Sequence, residues 1–109
     1  MAIVINPLGI NAALESVFKN GSRTYTLYLR GLSEVVLDSE VVTFDSASGG
    51  SIDLTSAVIF SVASGSKVVS VQLKDELDAV YFTETLSPQP EYNDNGTYTI
   101  NNITITYGV

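Results

Sequence analysis

The chain contains no cysteine, no histidine and no tryptophan. Without cysteine there is no disulfide framework, no cysteine-rich zinc site and no iron–sulfur cluster. Without histidine there is no Ser-His-Asp triad, no Cys-His pair and no imidazole proton shuttle. Basic residues are nearly as scarce. Five of them (Lys19, Arg23, Arg30, Lys67, Lys74) face twelve acids, for a net charge of −7. From Asp75 onward there are six acids and no Lys or Arg. Nucleic-acid binding rests on clustered Lys and Arg that displace counterions, so neither nucleic acid nor an anionic membrane is an expected partner. No apolar run approaches the length of a membrane span. No signal peptide is expected, because the opening Met1-Ala2-Ile3-Val4-Ile5 lacks a basic region and is followed by Asn6-Pro7.

What is present suits a small folded domain. The 109 residues are 45% apolar, an ordinary globular level. A chain of this length buries roughly 60% or more of the surface its unfolded form exposes. One domain over 1–109 is expected. Residues 1–6 are a possible N-terminal arm, 8–19 a helix, and 22–109 strands.

The helix is announced by Asn6-Pro7, a capping residue followed by a proline suited to the first turn. Ile10, Leu14, Val17 and Phe18 then recur on one helical face, and Asn20-Gly21 stops it. After Gly21 the period falls from 3.6 to 2. Tyr25, Leu27 and Leu29 share one face of a strand, with Thr24, Thr26, Tyr28 and Arg30 on the other. Val35–Leu37 and Val41–Phe44 read as two strands around an Asp38-Ser39-Glu40 turn. Ser46–Ser51 reads as a loop. Ala57–Ala63 and Val68–Leu73 read as a hairpin across Ser64-Gly65-Ser66. Ala79–Leu86 is a further strand, ended by Ser87-Pro88-Gln89-Pro90. Asn93-Asp94-Asn95-Gly96 is a turn, followed by alternating strands at Thr97–Ile100 and Ile103–Tyr107 with Ile103, Ile105 and Tyr107 inward. About seven or eight short strands with one early helix favour a mainly β fold, an antiparallel sandwich or small barrel.

Candidate chemistry is thin. Asp75, Glu76 and Asp78 cluster in a polar turn, where solvation is expected and a raised carboxyl pKa is not. Asp45 and Asp53 bracket the glycine-rich loop, and Asn93–Gly96 has some calcium-loop character, but both read more simply as turns. Asn95-Gly96-Thr97 and Asn102-Ile103-Thr104 match the glycosylation acceptor pattern but read as turn and strand residues. No phosphate-cradling motif occurs, and serines without an activating base are weak nucleophiles. No enzyme, cofactor or metal is expected. Tyr28, Tyr81 and Tyr92 fall outward or in a loop and are candidate protein contacts. So are Ile3, Val4 and Ile5, if the run Ala2–Ile5 is a docking arm that adds to a neighbour's sheet; otherwise it is this domain's own edge strand.

The order of elements resembles short β-rich virion proteins of tailed bacteriophages. The likeness is carried by the helix Asn11–Phe18, the Tyr/Leu strand Thr24–Leu29, and the closing Asn95-Gly96-Thr97-Tyr98-Thr99-Ile100-Asn101-Asn102-Ile103-Thr104-Ile105-Thr106. Ile52-Asp53-Leu54-Thr55-Ser56-Ala57 is similar to the "Asp-Leu-Thr-Gly-Ala" strand opening of baseplate and tail β-domains, with Ser56 where glycine is usual. The resemblance implies a non-enzymatic virion component made in the host cytoplasm, first of all a capsid decoration or cement protein. Its partners would be the major capsid protein or other virion proteins, and it would act as a homo-oligomer whose weak contacts sum by multivalency. Alternatives are a tail, neck or fibre-associated component that recognises a host surface, and an acidic inhibitor that mimics nucleic acid. The resemblance carries over no functional residue.

Overall fold

Alternating apolar residues dominate the chain, and most of them end in strands. The computed structural model describes residues 1–5 and 11–107. In chain order these form β1 (Ala2–Ile5), α1 (Asn11–Phe18), β2 (Tyr25–Arg30), a 3-10 turn (Leu32–Glu34) and β3 (Val36–Val42). Then follow β4 (Ser51–Asp53), β5 (Val58–Val62), β6 (Ser70–Asp75), β7 (Val80–Thr85), β8 (Gly96–Ile100) and β9 (Thr104–Tyr107). The fold is mainly β, with several antiparallel sheets and one short helix, as the sequence pattern leads one to expect. The expected helix start at Asn6-Pro7, with Gly9 and Ile10, lies outside the described residues. So do the side chains of Val4, Ile5 and Tyr107.

Two compact units emerge. The first is built from the described residues of Met1–Arg23, Val42–Val58 and Ile100–Val109. Its sheet has the order β1-β9-β4. β1 runs parallel to β9, with Ile3 beside Ile105, and β9 runs antiparallel to β4, with Ile105 beside Ile52. This places three buried isoleucines in one row across the sheet. Ala2–Ile5 is thus an edge strand of its own sheet. On α1, Leu14 and Phe18, one turn apart, are buried, while Val17 stays 36% exposed. The Phe18 ring meets Phe44 at a centroid distance of 5.5 Å.

The second unit comprises Thr24–Val41 and Ile59–Thr99. Its main sheet has the order β3-β2-β6-β7. β2 and β6 pair antiparallel, with Tyr25 opposite Asp75, Leu27 opposite Leu73 and Leu29 opposite Val71. All six are buried. Just beyond β2, Gly31 lies against the segment that leads into β6: a β-carbon there would come 2.9 Å from the Lys67 carbonyl oxygen. β5 and β8 form a separate two-stranded sheet. Phe60 and Val62 of β5 are buried and Ile59 and Ser61 exposed, the expected alternation.

Three local expectations are corrected. Ala57–Ala63 and Val68–Leu73 are not a hairpin. Gly65 does turn the chain at φ +85°. However, both sides of β6 are already taken by β2 and β7, so β5 pairs with β8 instead. Asp38-Ser39-Glu40 is not a turn but the middle of β3, an edge strand where polar residues meet water. The reversal before it falls at Leu32–Glu34, where Ser33 and Glu34 adopt positive φ of 56° and 61°.

The third correction is Asp75, which is buried at 8% exposure and not solvated. Its Oδ1 accepts the Leu77 and Ala79 backbone N–H groups at 2.8 and 3.1 Å, and its Oδ2 accepts the Tyr81 hydroxyl at 2.8 Å. One carboxylate thus closes the β6–β7 turn and locks Tyr81, whose ring stands edge-on to Tyr25 at 5.5 Å. Charged hydrogen bonds of this kind are each worth about 1.5–3 kcal/mol, and unpaired buried donors are costly. Asp75→Ala is therefore expected to lower unfolding free energy by about 2–4 kcal/mol. Tyr81→Phe should cost only about 1 kcal/mol. Urea unfolding midpoints of the two variants measure both, and equal losses would contradict the assignment.

Candidate functional site

The residues singled out from the sequence do not converge on one site. Ile3 is buried in β1. Val4 and Ile5 continue the same strand, opposite Thr106 and Tyr107 of β9. Tyr81 is half-buried and held by Asp75. Tyr92 is half-buried, and its hydroxyl donates to the Thr97 carbonyl at 2.7 Å. Its ring lies so close to Gly96 that a β-carbon there would come within 2.9 Å of it. Tyr92 also pins the loop that follows β5, since its carbonyl accepts from Gly65 at 2.6 Å and its N–H donates to Ser66 at 2.8 Å. Beside it, burial raises the Tyr98 hydroxyl above its ordinary pKa, aided by repulsion from Tyr92. Tyr28 projects from β2, with the Lys74 ammonium 5.6 Å from its ring centroid.

Several carboxylates of the described residues are engaged locally. Asp38 accepts the Ser39 N–H through Oδ1 at 2.9 Å and the Ser61 N–H through Oδ2 at 2.7 Å. It stands at an open depression of about 440 Å³, lined also by Leu37, Val62, Ala63 and Asn95. Asn95 Oδ1 accepts the Ser64 N–H at 2.9 Å, so the turn at 93–96 braces the end of β5. Glu76 Oε2 accepts the Thr24 N–H at 3.0 Å, and Asp78 pairs with Lys74 at 2.8 Å. In the first unit, the Glu15 carboxylate accepts the Ala47 N–H at 3.0 Å and ties the glycine-rich loop to α1. Among the described residues, no group of three or more Asp or Glu is placed to hold a metal ion. No described helix is long and apolar enough to cross a membrane.

The exposed apolar residues are more informative. Leu32, Val35 and Val36, at the connection from β2 to β3, are 63%, 57% and 53% exposed. Between Arg30 and Lys67 there is no basic residue, so this apolar turn sits in an acidic stretch with Glu34, Asp38 and Glu40. The two left-handed residues, Ser33 and Glu34, are neither glycine nor asparagine. Each such conformation costs on the order of 1 kcal/mol. Strain and exposed apolar surface coincide at this turn. The sequence reading missed it because it placed the reversal at Asp38–Glu40.

Asp53 yields a pH test. Its Oδ1 accepts from Thr104 Oγ1 and from Asn102 Nδ2, the latter at 3.0 Å. The Thr104 bond foremost, then the Asn102 bond, holds its carboxyl below the ordinary value. A depressed folded-state pKa contributes stability above the unfolded-state pKa and loses it as pH falls through the folded one. The stability advantage of the native chain over Asp53→Asn should therefore be constant near neutrality and shrink below about pH 4. Chemical unfolding across that range measures it, and a gap that widens on acidification would be the wrong sign.

No known protein family, curated protein or solved structure matches this chain.

Proposed function

We propose that the chain is a non-enzymatic structural component of a tailed-bacteriophage virion, most specifically a capsid decoration protein. It would bind the major capsid protein in many copies and act as an oligomer on the particle. The observation that carries this reading is the strained apolar turn Leu32–Val36 in an acidic stretch. Apolar side chains held in water at a conformational cost favour a surface that is covered when a partner arrives. The acids around it favour a basic rim on that partner and oppose wrong partners by repulsion. The resemblance of the helix, the Tyr/Leu strand and the closing Thr/Ile strands to small virion proteins supplies the biological setting. Small apolar contacts are individually weak, and a shell that repeats them many times makes attachment firm.

Purified protein is expected to co-sediment with expanded empty phage capsids. The double variant Leu32→Glu, Val35→Glu should remain in the supernatant, while its unfolding free energy changes by no more than about 1 kcal/mol, as for exposed sites. If the native chain does not bind shells, the decoration reading falls. Imaging that finds it on the tail or neck, or binding to a basic enzyme that salt abolishes, would replace it with the corresponding alternative.

A further inference from the structure

Asparagine followed by glycine is a chemically labile pair, because a glycine nitrogen can attack the side-chain amide carbon without a β-carbon in the way. The chain has seven asparagines, and two of them, Asn20 and Asn95, precede glycine. The other five precede proline, alanine, aspartate, asparagine or isoleucine, where the nitrogen lacks its hydrogen or is crowded by a side chain. The fold treats the two Asn-Gly pairs in opposite ways.

Asn20 and Gly21 are both exposed in the turn that follows α1. The Arg23 N–H donates to the Asn20 carbonyl at 3.0 Å, which closes the turn without using the Gly21 N–H. That N–H has no hydrogen-bond partner among the described residues. The Ser22 N–H donates to Asn20 Oδ1 at 2.9 Å. A side-chain oxygen bonded to the N–H two residues on folds the side chain over the peptide between them, here that of Gly21. The same bond polarises the side-chain carbonyl and supports negative charge on Oδ1 as the carbon is attacked. Beyond the chain neighbours, no atom lies within 4 Å of where a Gly21 β-carbon would be, so nothing resists closure of a ring there. Asn95 is exposed too, but its Oδ1 is held at 2.9 Å by the N–H of Ser64, 31 residues away. Gly96 opens β8, which pairs with β5, and the Tyr92 ring lies against it. Tyr92 is itself fixed by bonds to Thr97, Gly65 and Ser66. A ring through the Asn95 side chain and the Gly96 nitrogen would have to disturb these contacts.

We propose that Asn20 is a site of spontaneous covalent modification, deamidated through a cyclic imide with Gly21, and that the fold protects Asn95 from the same reaction. The Gly21 nitrogen gives its proton to solvent base and bonds to Asn20 Cγ. The Cγ–Nδ2 bond breaks, and Nδ2 takes a proton from water and leaves as ammonia. Water then opens the imide. Opening at Cγ gives aspartate, and opening at the backbone carbonyl gives isoaspartate, whose main chain runs through the former side chain. The net change is one water consumed and one ammonia released. Either product sets a carboxylate between Lys19 and Arg23, in a segment that has no acid, and beside the negative end of α1. Isoaspartate also takes the carbonyl that Arg23 holds out of the main chain. This inference is independent of the decoration reading.

The test is ageing of the full chain in warm, mildly alkaline buffer, both folded and in guanidinium chloride, then cleavage at glutamate and tandem mass spectrometry. Fragments 16–34 and 92–109 separate Asn20 from Asn95. In denaturant both asparagines should convert at similar rates, since each precedes glycine. In the folded chain Asn20 should keep at least its denatured rate and exceed Asn95 roughly tenfold, about what one hydrogen bond is worth on a barrier. Gly21→Ala should slow folded Asn20 roughly tenfold. That variant should keep a near-native thermal midpoint, because Gly21 has open space around it and is not left-handed. Slower conversion of Asn20 in the folded chain than in denaturant, folded Asn95 as fast as Asn20, or undiminished conversion in folded Gly21→Ala would each overturn the proposal.

Discussion

The register of β2 on β6 is the constraint on which the second unit depends. Leu27 opposite Leu73 and Leu29 opposite Val71 bury one face of both strands completely. In a pleated pair the side-chain period is two, so a slip of one residue would exchange the apolar and polar faces. The same register brings Tyr25 opposite Asp75 and Tyr28 opposite Gln72. One pairing therefore decides both what the core contains and which polar groups gather outside. Full burial of Leu and Val at these positions is worth about 1.5–3 kcal/mol for each side chain. That energy fixes the register far more firmly than any polar contact on the outer face could.

Much of the strand content was legible because it needs only local information. Alternation over Tyr25–Leu29, Val58–Val62 and Ile103–Ile105 states directly which side chains turn inward, and the buried residues follow it. The partner of each strand was not legible. Ser64-Gly65-Ser66 signals that the chain turns, but a turn does not say which sheet the chain enters afterwards. That choice depends on which edges distant strands leave open, and β6 leaves none. The Asp38-Ser39-Glu40 segment misled for a related reason. Polar residues favour turns, but they also suit an edge strand facing water, and composition does not separate the two.

The polar sites show the same division. Asp75 looked like a solvated turn residue, yet it continues the inward phase of Val71 and Leu73 by two positions. Read that way, its burial beside Tyr25 follows from the strand's own period. What no local pattern contains is the acceptor role toward Tyr81, because a register shift between β6 and β7 carries that ring across. The tyrosines proposed as contacts divide accordingly. Tyr81 and Tyr92 have their hydroxyls committed within the fold, whereas Tyr28 projects from β2 with the Lys74 ammonium against its ring.

The parallel pairing of β1 with β9 has a consequence for how the molecule comes to exist. The Met1 ammonium donates to the Asn102 carbonyl, 101 residues further along the chain. The apolar segment Ala2–Ile5 leaves the ribosome long before β9, its hydrogen-bonding neighbour. At ordinary rates of synthesis that interval is on the order of ten seconds. Meanwhile the second unit, whose strands all lie between these two, has every contact it needs within reach. The two units are thus ordered in time by their wiring. The discontinuous one must close a very long loop before β1 is paired, and that closure carries an entropy cost the second unit does not meet.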